Sequence, residues 1–502
     1  MIINRTILLA SAMMTTGAIM AQDSYDAANF ATKDLNGTAR YVGMGGALGA
    51  LGGDISVMAT NPAGTAMFRK TDAAVTMSGV FSDKGQLGHD GSRMSIDNAG
   101  IVVSMPTDDG SSLKYVNFGA NYVKARNYLG NLNTDISNLL GPGGTGFSQT
   151  FQIADLANMA YDNGNFGMLA DMSAPIYDKD GVMTKDAIIA ERLDEHGNFL
   201  GYEGIAANAA NYQRATYGSV SQVDMNLSFN VLDKYFFGAS VGVYDVNYSR
   251  ESFYQELGVD GAYYDFSNWY ATDGTGIDVK LGFICRPIDN SPFRIGASIS
   301  TPIWYRFEDM NGSTLYLNDK YLDNQFTDPY MYNYRTPWKF GLSMGYTVGN
   351  YFAIGAEYEY QDLSTAKYSE DGHSTAYFRT QNEFIKNNLK GQGTFKVGME
   401  VKPSNSFSIR AGYNYVSAPM ADNAYRIIAY DSPFTETDFT NWKATNRFTF
   451  GLGYRYNGGY IDLAFQTSMQ KGDFYAFDDI NLKPTEIENN RSQLMCTFGF
   501  KF

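Results

Sequence analysis

Residues 223–231 read VDMNLSFNV, and in this stretch an apolar residue alternates with a polar residue at every position. Successive side chains of a β-strand point to opposite faces, so the stretch has one wholly apolar face and one wholly polar face. The alternation resumes after Asp233 and Lys234, over residues 235–249. Two alternating stretches joined by so short a break predict a β-hairpin.

The same pattern continues to the end of the chain and predicts fourteen strands. The predicted ranges are 71–81, 98–106, 113–124, 216–232, 235–249, 275–287, 293–307, 337–348, 351–361, 393–402, 406–416, 446–456, 460–468 and 491–502. The breaks between them alternate between very short and long, and the longest covers about residues 125–215. Short turns on one side and long loops on the other are typical of a barrel whose apolar face meets lipid. We therefore expect an all-β fold, a 14-stranded antiparallel transmembrane β-barrel. The same alternation would also suit an array of soluble β-sandwiches.

The composition favours a large β-structure and excludes other classes of protein. The 502 residues include 37 Tyr, 33 Phe and 52 Gly, only 18% are charged, and the formal net charge is -15. This acidity argues against nucleic-acid binding, which needs a cationic surface. The high aromatic content excludes disorder. Tyrosines also end many apolar faces, as an interfacial girdle would require; they are Tyr358, Tyr360, Tyr413, Tyr415, Tyr454 and Tyr456.

Both ends of the chain predict export to the outer membrane of a Gram-negative bacterium. Residues 1–21 combine a basic start, an apolar stretch and a small residue before polar ones, which is typical of a signal peptide. The two cysteines, Cys285 and Cys496, are too few for a disulfide scaffold. Phe502 ends an apolar and aromatic strand, which is the assembly signal that the barrel-assembly machinery recognises in such barrels.

The predicted lumen is too wide to remain empty of structure. The interior of a barrel of about eight strands can be filled by its own side chains, whereas a barrel of fourteen strands leaves room for water, a plug or a ligand. Many lumen-facing positions are glycine, which marks close approach by another backbone or merely relieves crowding in the wall. Residues 22–70 precede the first strand and do not alternate. We expect them to form a plug, or hatch, inside the barrel formed by residues 71–502.

The N-terminal segment contains two short patterns that resemble a known family. Residues 36–47 read NGTARYVGMGGA, and residues 54–64 read DISVMATNPAG. A Gly-rich run, an acidic position and an Asn-Pro-Ala motif just before the first strand resemble the FadL/TodX family of outer-membrane transporters for hydrophobic compounds. In sequence, the resemblance is concentrated in residues 36–70.

The resemblance implies a barrel closed by an N-terminal hatch that binds long-chain fatty acids or other hydrophobic molecules. Asn61, Pro62, Ala63 and Gly64 would then lie on the ligand path, at the part of the hatch that moves. It also implies a sideways exit at a kinked third strand, where Gly119 is the residue best able to accept a kink. Pro302, which lacks an N–H group, is a rival site for an irregular wall.

Charged residues of the predicted lumen are candidates for ligand binding by their charge alone. The cations are Arg294, Lys339, Lys396, Arg410 and Arg455. The acidic residues that would neutralise them are Asp224, Asp278, Glu357 and Glu359. The alternative is therefore a set of internal ion pairs that line a wet lumen.

The sequence offers no catalytic or metal centre. Ser240 and Ser343 match the nucleophile-elbow pattern, but both lie in the middle of an alternating strand rather than at a sharp turn. The three histidines, His89, His196 and His373, fall in predicted external loops. We expect no enzyme, no cofactor and no metal site.

We therefore expect a monomeric outer-membrane transporter through which hydrophobic small molecules, such as long-chain fatty acids, move passively. Its partners would be that small molecule and the lipid of the outer membrane, with no nucleic acid. Two alternatives remain open at this point. One is a general diffusion porin, and the other is a surface adhesin or structural outer-membrane protein.

Overall fold

The structure is a computed structural model. It describes residues 22–82, 94–108, 110–136, 207–258, 263–317, 320–370, 374–426, 435–479 and 482–502, with short stretches between 139 and 202 and single residues at 261, 372 and 428. The predicted signal peptide, His89 and His373 lie outside the described residues. No helix in these ranges is both long and apolar enough to cross a membrane.

Fourteen antiparallel strands form a closed barrel. Their bounds are β1 Asp72–Ser82, β2 Met94–Pro106, β3 Leu113–Asn127 with Gly130–Ile136, β4 Ala207–Val231, β5 Tyr235–Gly258, β6 Tyr263–Cys285, β7 Arg294–Ser300 with Trp304–Leu317, β8 Lys320–Arg335 with Lys339–Val348, β9 Phe352–Asp362 with Lys367–Ser369, β10 Gly391–Val401, β11 Phe407–Val416, β12 Phe439–Tyr456, β13 Gly459–Tyr475 and β14 Thr485–Lys501. Each strand pairs with its neighbours in the chain, and β1 pairs with β14 from Asp72↔Lys501 to Ser82↔Arg491. The predicted number of strands is confirmed.

The outer face of the barrel wall is apolar and the inner face is polar. On β4, Met225 and Leu227 are exposed, whereas Asp224 and Asn226 are buried inside. Exposed apolar side chains continue around the wall, which suits contact with lipid acyl chains. The barrel is therefore an outer-membrane protein, as its sequence predicts.

Several strands extend far beyond their predicted ends on the side of the long connections. β5 continues to Gly258, whereas its predicted end was residue 249. β6 begins at Tyr263, whereas its predicted start was residue 275. There the polarity is reversed, because buried aromatic residues such as Tyr254 and Phe266 face inward. The expected loop at 125–215 is also shorter, since β3 reaches Ile136 and β4 begins at Ala207. Within it lie two short hairpins, Ile176–Tyr177 with Met183–Lys185 and Glu191–Leu193 with Phe199–Tyr202.

Residues 22–70 lie within the barrel and contain four short helical elements. These are α1 Ser24–Ala31, α2 Ala39–Gly43 and the 3₁₀ turns Ile55–Ala59 and Pro62–Met67. Asp23 caps α1, because its side chain accepts hydrogen bonds from the backbone N–H groups of the next turn. Nearly all of the segment's apolar side chains are buried. Outside it lie a third α-helix, α3 Arg379–Asn388, and the 3₁₀ turn Leu363–Thr365.

The wall is interrupted in β3 after Asn127, in β7 and in β8, whereas its pairing is regular at Gly119. Gly119 pairs regularly with Val102 on β2 and Asn226 on β4, so no kink lies there. The predicted irregularity at Pro302 is confirmed, because β7 is interrupted between Ser300 and Trp304. β8 is interrupted beside it at residues 336–338, and a Thr336 hydroxyl closes part of the gap by accepting a hydrogen bond from Ile303 N (2.8 Å).

Candidate functional site

Glycines of the wall contact the backbone of the N-terminal segment. A Cβ atom at Gly398 would collide with the carbonyl group of Met44, and one at Gly412 would collide with Gly45. Gly238 and Gly282 similarly face the backbone of residues 61–63. The interpretation that these glycines mark close approach by another backbone is therefore confirmed.

The 3₁₀ turn Pro62–Met67, which Asn61 caps, contains the other predicted hatch residues, Ala63 and Gly64. It packs against the inner face of β4 and β5. The Asn61 side chain donates to Gly49 O (2.9 Å) and accepts from Ala63 N (3.2 Å). Gly64 packs where a Cβ would press against Val57. These contacts hold the turn in one conformation, and its movement as a hatch stays a prediction.

Two of the five candidate cations form ion pairs inside the barrel. Lys396 Nζ lies 2.7 Å from Glu357 and 2.8 Å from Glu359. Arg410 lies 2.6 Å from both Glu400 and Asp462 and is fully buried. These side chains are neutralised by the wall, as the ion-pair alternative described.

The other three candidate cations lie in different surroundings. Arg294 donates to Leu51 O (2.7 Å) and so holds the N-terminal segment against β7. Arg455 lines a cavity of about 20 Å³ beside Asp54 and Tyr460. Lys339 lines a central cavity of about 100 Å³ together with Lys33. The five side chains therefore do not converge on one site.

A larger cavity, of about 270 Å³, lies above this centre and reaches the break in β3. Its lining includes residues 126–130, which span the end of one β3 segment and the start of the next. Apolar and aromatic side chains contribute much of its wall, among them Tyr128, Tyr248, Phe439 and Trp442. Tyr128 packs edge-on against Tyr248, with ring centroids 4.6 Å apart. The break in β3 therefore borders a partly aromatic chamber.

The upper part of β3 has one unpaired edge among the described residues. β2 pairs with β3 only as far as Asn98↔Val123, and β1 pairs with β14 only as far as Ser82↔Arg491. Above Asn98, β2 continues to Met94 and pairs with β1 there. Arg491 on β14 contacts the upper part of β3 by donating to Asn127 O (2.9 Å). The 270 Å³ cavity therefore borders a part of β3 that pairs with β4 and not with β2 among the described residues.

Of the six arginines that line this cavity, three lie around the Asp34 carboxylate, whereas Arg214, Arg250 and Arg426 form ion pairs with other carboxylates. Arg491 lies 3.7 Å from Asp34, and Arg126 and Arg447 also line the cavity. Arg126 donates to Thr32 O and Asn29, whereas Arg447 donates to Asn414. Burial opposes ionisation of Asp34, but the three guanidinium groups outweigh it and lower its pKa. We call Arg126, Arg447 and Arg491 the arginine cluster, which carries a surplus of positive charge.

The sequence reasoning missed the arginine cluster. Arg447 and Arg491 lie at the ends of predicted strands, so the alternating pattern alone could have placed both side chains on the inner face. Arg126 lay within the range expected to be a loop, and its strand continues to Asn127. Their convergence joins parts of the chain more than 300 residues apart, and no local pattern reports such a contact.

The serines of the nucleophile-elbow patterns are wall residues. Ser240 Oγ accepts a hydrogen bond from Asn226 on the neighbouring strand (2.9 Å), and Ser343 lies within β8. In the described part of the chain no cluster of three His, Cys, Asp or Glu residues is placed to hold a metal ion.

Comparison with known proteins identifies the fold. No protein-family model and no curated protein matches the sequence. The toluene transporter TodX of Pseudomonas putida superposes with a TM-score of 0.50, covering 93% of this chain and 99% of its own at 13% identity. The monoaromatic hydrocarbon channel CymD gives a TM-score of 0.51, covering 94% of this chain and 99% of its own at 10% identity. The chain is an outer-membrane β-barrel with the fold of the FadL/TodX transporters.

Proposed function

We propose that the protein is an outer-membrane channel for hydrophobic compounds. The observation that carries the proposal is the 270 Å³ cavity, which lies inside the barrel and borders the break in β3. This volume is near the lower end of the range for ligand pockets, roughly 300 Å³. Structures with this fold include a toluene transporter and a monoaromatic hydrocarbon channel. The protein acts by transport rather than by catalysis.

The lining of the cavity favours an amphipathic ligand with an anionic head, such as a long-chain fatty acid. The arginine cluster provides charge-assisted hydrogen bonds to a carboxylate. The aromatic side chains Tyr128, Phe439 and Trp442 provide apolar contact to a tail. The tail would point towards the break in β3, and the ligand would leave sideways there into the bilayer.

The N-terminal segment shapes this route and blocks the direct one. In this proposal residues 22–70, most of whose apolar side chains are buried, would fill the lower lumen, and the turn at Asn61 would close its end. Transport is passive in this proposal, driven by the concentration gradient of the ligand. A filled lumen disfavours a general diffusion porin, which needs a continuous aqueous channel.

Equilibrium binding of labelled palmitate to the detergent-purified mature protein tests the proposal. The same measurement is made on a variant that lacks residues 22–70, after its barrel has been verified by its heat-dependent electrophoretic mobility. We expect saturable binding to the mature protein and weaker binding to the variant, because α1 and Asp34 line the cavity. Absence of saturable binding, together with large steady ion conductance of the intact protein, would favour a porin instead.

The sideways exit requires a separate test. A fatty acid with a photoreactive group at the end of its tail is bound to the protein in lipid nanodiscs and then illuminated. We expect labelled peptides that contain Leu129, Gly130 or Trp442, together with labelled bilayer lipid. Label confined to residues 61–68 would show that the tail points to the periplasmic end, and the lateral route would be wrong.

A further inference from the structure

An external cleft of about 570 Å³ lies on the opposite side of the wall from the lumen, beside the paired breaks of β7 and β8. Most of the side chains that line it, such as Val243, Trp304 and Arg335, point outward from the wall, so it is separate from the ligand path. Its position next to the interrupted strands explains its depth. A regular sheet is smooth at this scale, whereas the breaks at residues 301–303 and 336–338 bend the wall.

The lower edge of the external cleft is apolar and belongs to the lipid-facing band. Val243, Ile277 and Trp304 line it, and each has between 46% and 53% of its side chain exposed. Trp338, in the break of β8, is exposed to a similar extent. Tryptophans mark the boundary between acyl chains and headgroups in membrane proteins. The external cleft therefore straddles this boundary on the side of the long connections.

The upper edge of the external cleft is cationic. Arg306, Arg335 and Lys367 line it on three adjacent strands, and all three are exposed. Arg335 pairs directly with Lys367 on one side and with Trp304 on the other. Like charges directly opposite each other destabilise a sheet. Neither Arg335 nor Lys367 forms an ion pair with another described residue, so the repulsion is not relieved within the described chain.

The acidic residues nearest to this edge lie outside the external cleft. Asp273 on β6 and Glu308 on β7 lie opposite each other in the strand register, two residues beyond Thr275 and Arg306. Neither lines the external cleft. Asp273 instead accepts a hydrogen bond from Asn247 (2.7 Å). The cationic edge thus lies between an apolar band below and an acidic pair above.

We propose that the external cleft binds a phosphorylated lipid of the outer leaflet. The phosphate would lie on Arg306, Arg335 and Lys367, and an acyl chain would lie along Val243, Ile277 and Trp304. Charge complementarity selects this occupant, because a phosphate offers several acceptors to guanidinium and ammonium donors. It would also relieve the repulsion between Arg335 and Lys367. A phosphorylated headgroup in the outer leaflet would lie at the level of the cationic edge.

Binding of diphosphoryl lipid A to the detergent-purified full chain, counted by native mass spectrometry, tests this proposal. The variant Arg335→Gln/Lys367→Gln removes two cations from the external cleft. We expect its affinity to fall about tenfold, because each basic side chain at a membrane surface contributes appreciably to binding an anionic lipid. The matched control Lys443→Gln/Lys471→Gln removes two exposed outer cations that are paired with Asp473 and Glu486. We expect the control to bind within about twofold of the unchanged protein.

The same lipid with its phosphates removed distinguishes headgroup recognition from general contact with acyl chains. Weak binding of this form would support the proposal. Equal binding of both lipid forms, or equal affinity of the double variant and the unchanged protein, would overturn it. Palmitate binding in the lumen serves as the fold control, since Arg335 and Lys367 point away from it.

Discussion

Gly49 in the N-terminal segment donates its backbone N–H to Glu357 on β9 at 2.9 Å. The same carboxylate is held by Lys396 of β10, so one ion pair of the wall also fixes the segment that fills the lumen. The segment's backbone also lies against glycines of the wall, and Arg294 donates to Leu51 O. Its apolar side chains pack against the wall as well, as Phe30 does against Phe307 with ring centroids 4.8 Å apart. Its position therefore depends on polar contacts and apolar packing together.

Gly398→Val should displace the N-terminal segment and raise ion conductance. The new side chain would occupy the space of the Met44 backbone, which cannot move without shifting residues 43–47. Single-channel recording in planar bilayers measures the effect. Gly79→Val is the matched control, because a Cβ there meets only Phe81 at an ordinary distance of 3.7 Å. Unchanged conductance of Gly398→Val would show that the segment does not block the pore.

Arg410→Met should destabilise the barrel by about 3–5 kcal/mol, because it removes the partner of buried Asp462 and leaves Glu400 with Arg40 and Lys402 alone. Urea unfolding from lipid vesicles measures the change. Arg69→Met removes the exposed pair with Asp233, and we expect it to cost less than about 1 kcal/mol. Equal effects of the two substitutions would mean that Arg410 acts as a solvated residue in a wet lumen.

Arg447→Met should weaken binding of palmitate while leaving the binding of toluene unchanged. Only the fatty acid has a carboxylate for the arginine cluster, and loss of one charge-assisted contact should lower affinity about tenfold. Competition binding with the two ligands measures the selectivity. Arg455→Met is the control on the same strand, since Arg455 lines a different cavity. A parallel loss of both ligands would indicate collapse of the cavity rather than loss of head recognition.

The stability of the protein should fall as the pH rises from about 4.5 to about 7 because of Glu256. Burial raises the pKa of this carboxyl, which lies on the extended part of β5 beyond the membrane, to about 7, although Ser148, Tyr254 and the Gln149 backbone donate to it. Between its ordinary pKa and the raised value, the folded protein binds more protons than the unfolded chain. Stability is therefore greatest below this window, and a shift of this size corresponds to at most about 3 kcal/mol.

Thermal unfolding at pH 5 and at pH 8 tests the role of Glu256. Glu256→Gln should remove most of the pH difference, because the amide does not titrate. Glu251→Gln changes an exposed residue of the same strand and should leave the difference intact. An unchanged pH dependence in Glu256→Gln would assign the effect to another group.

The alternation of residues 223–231 predicted the fold because lipid contact outside and a polar lumen inside impose the same period on every strand. The number of strands followed from counting such stretches. The ends of the strands did not follow, because beyond the membrane the inward face becomes aromatic and the outward face polar, as at Tyr254 and Phe266. A strand prediction that requires apolar residues on the outward face therefore ends a strand where this reversal begins.

The sequence by itself determined a 14-stranded outer-membrane barrel, through the period of its strands. Only the tertiary structure decided which charges are neutralised and which remain available. Lys396 and Arg410 look like Arg447 in sequence, but acidic neighbours on adjacent strands pair with the first two alone. The reason is that pairing across a barrel depends on the register of strands and on how a distant segment packs inside them. Local periodicity specifies which face a side chain takes and not which partner it meets.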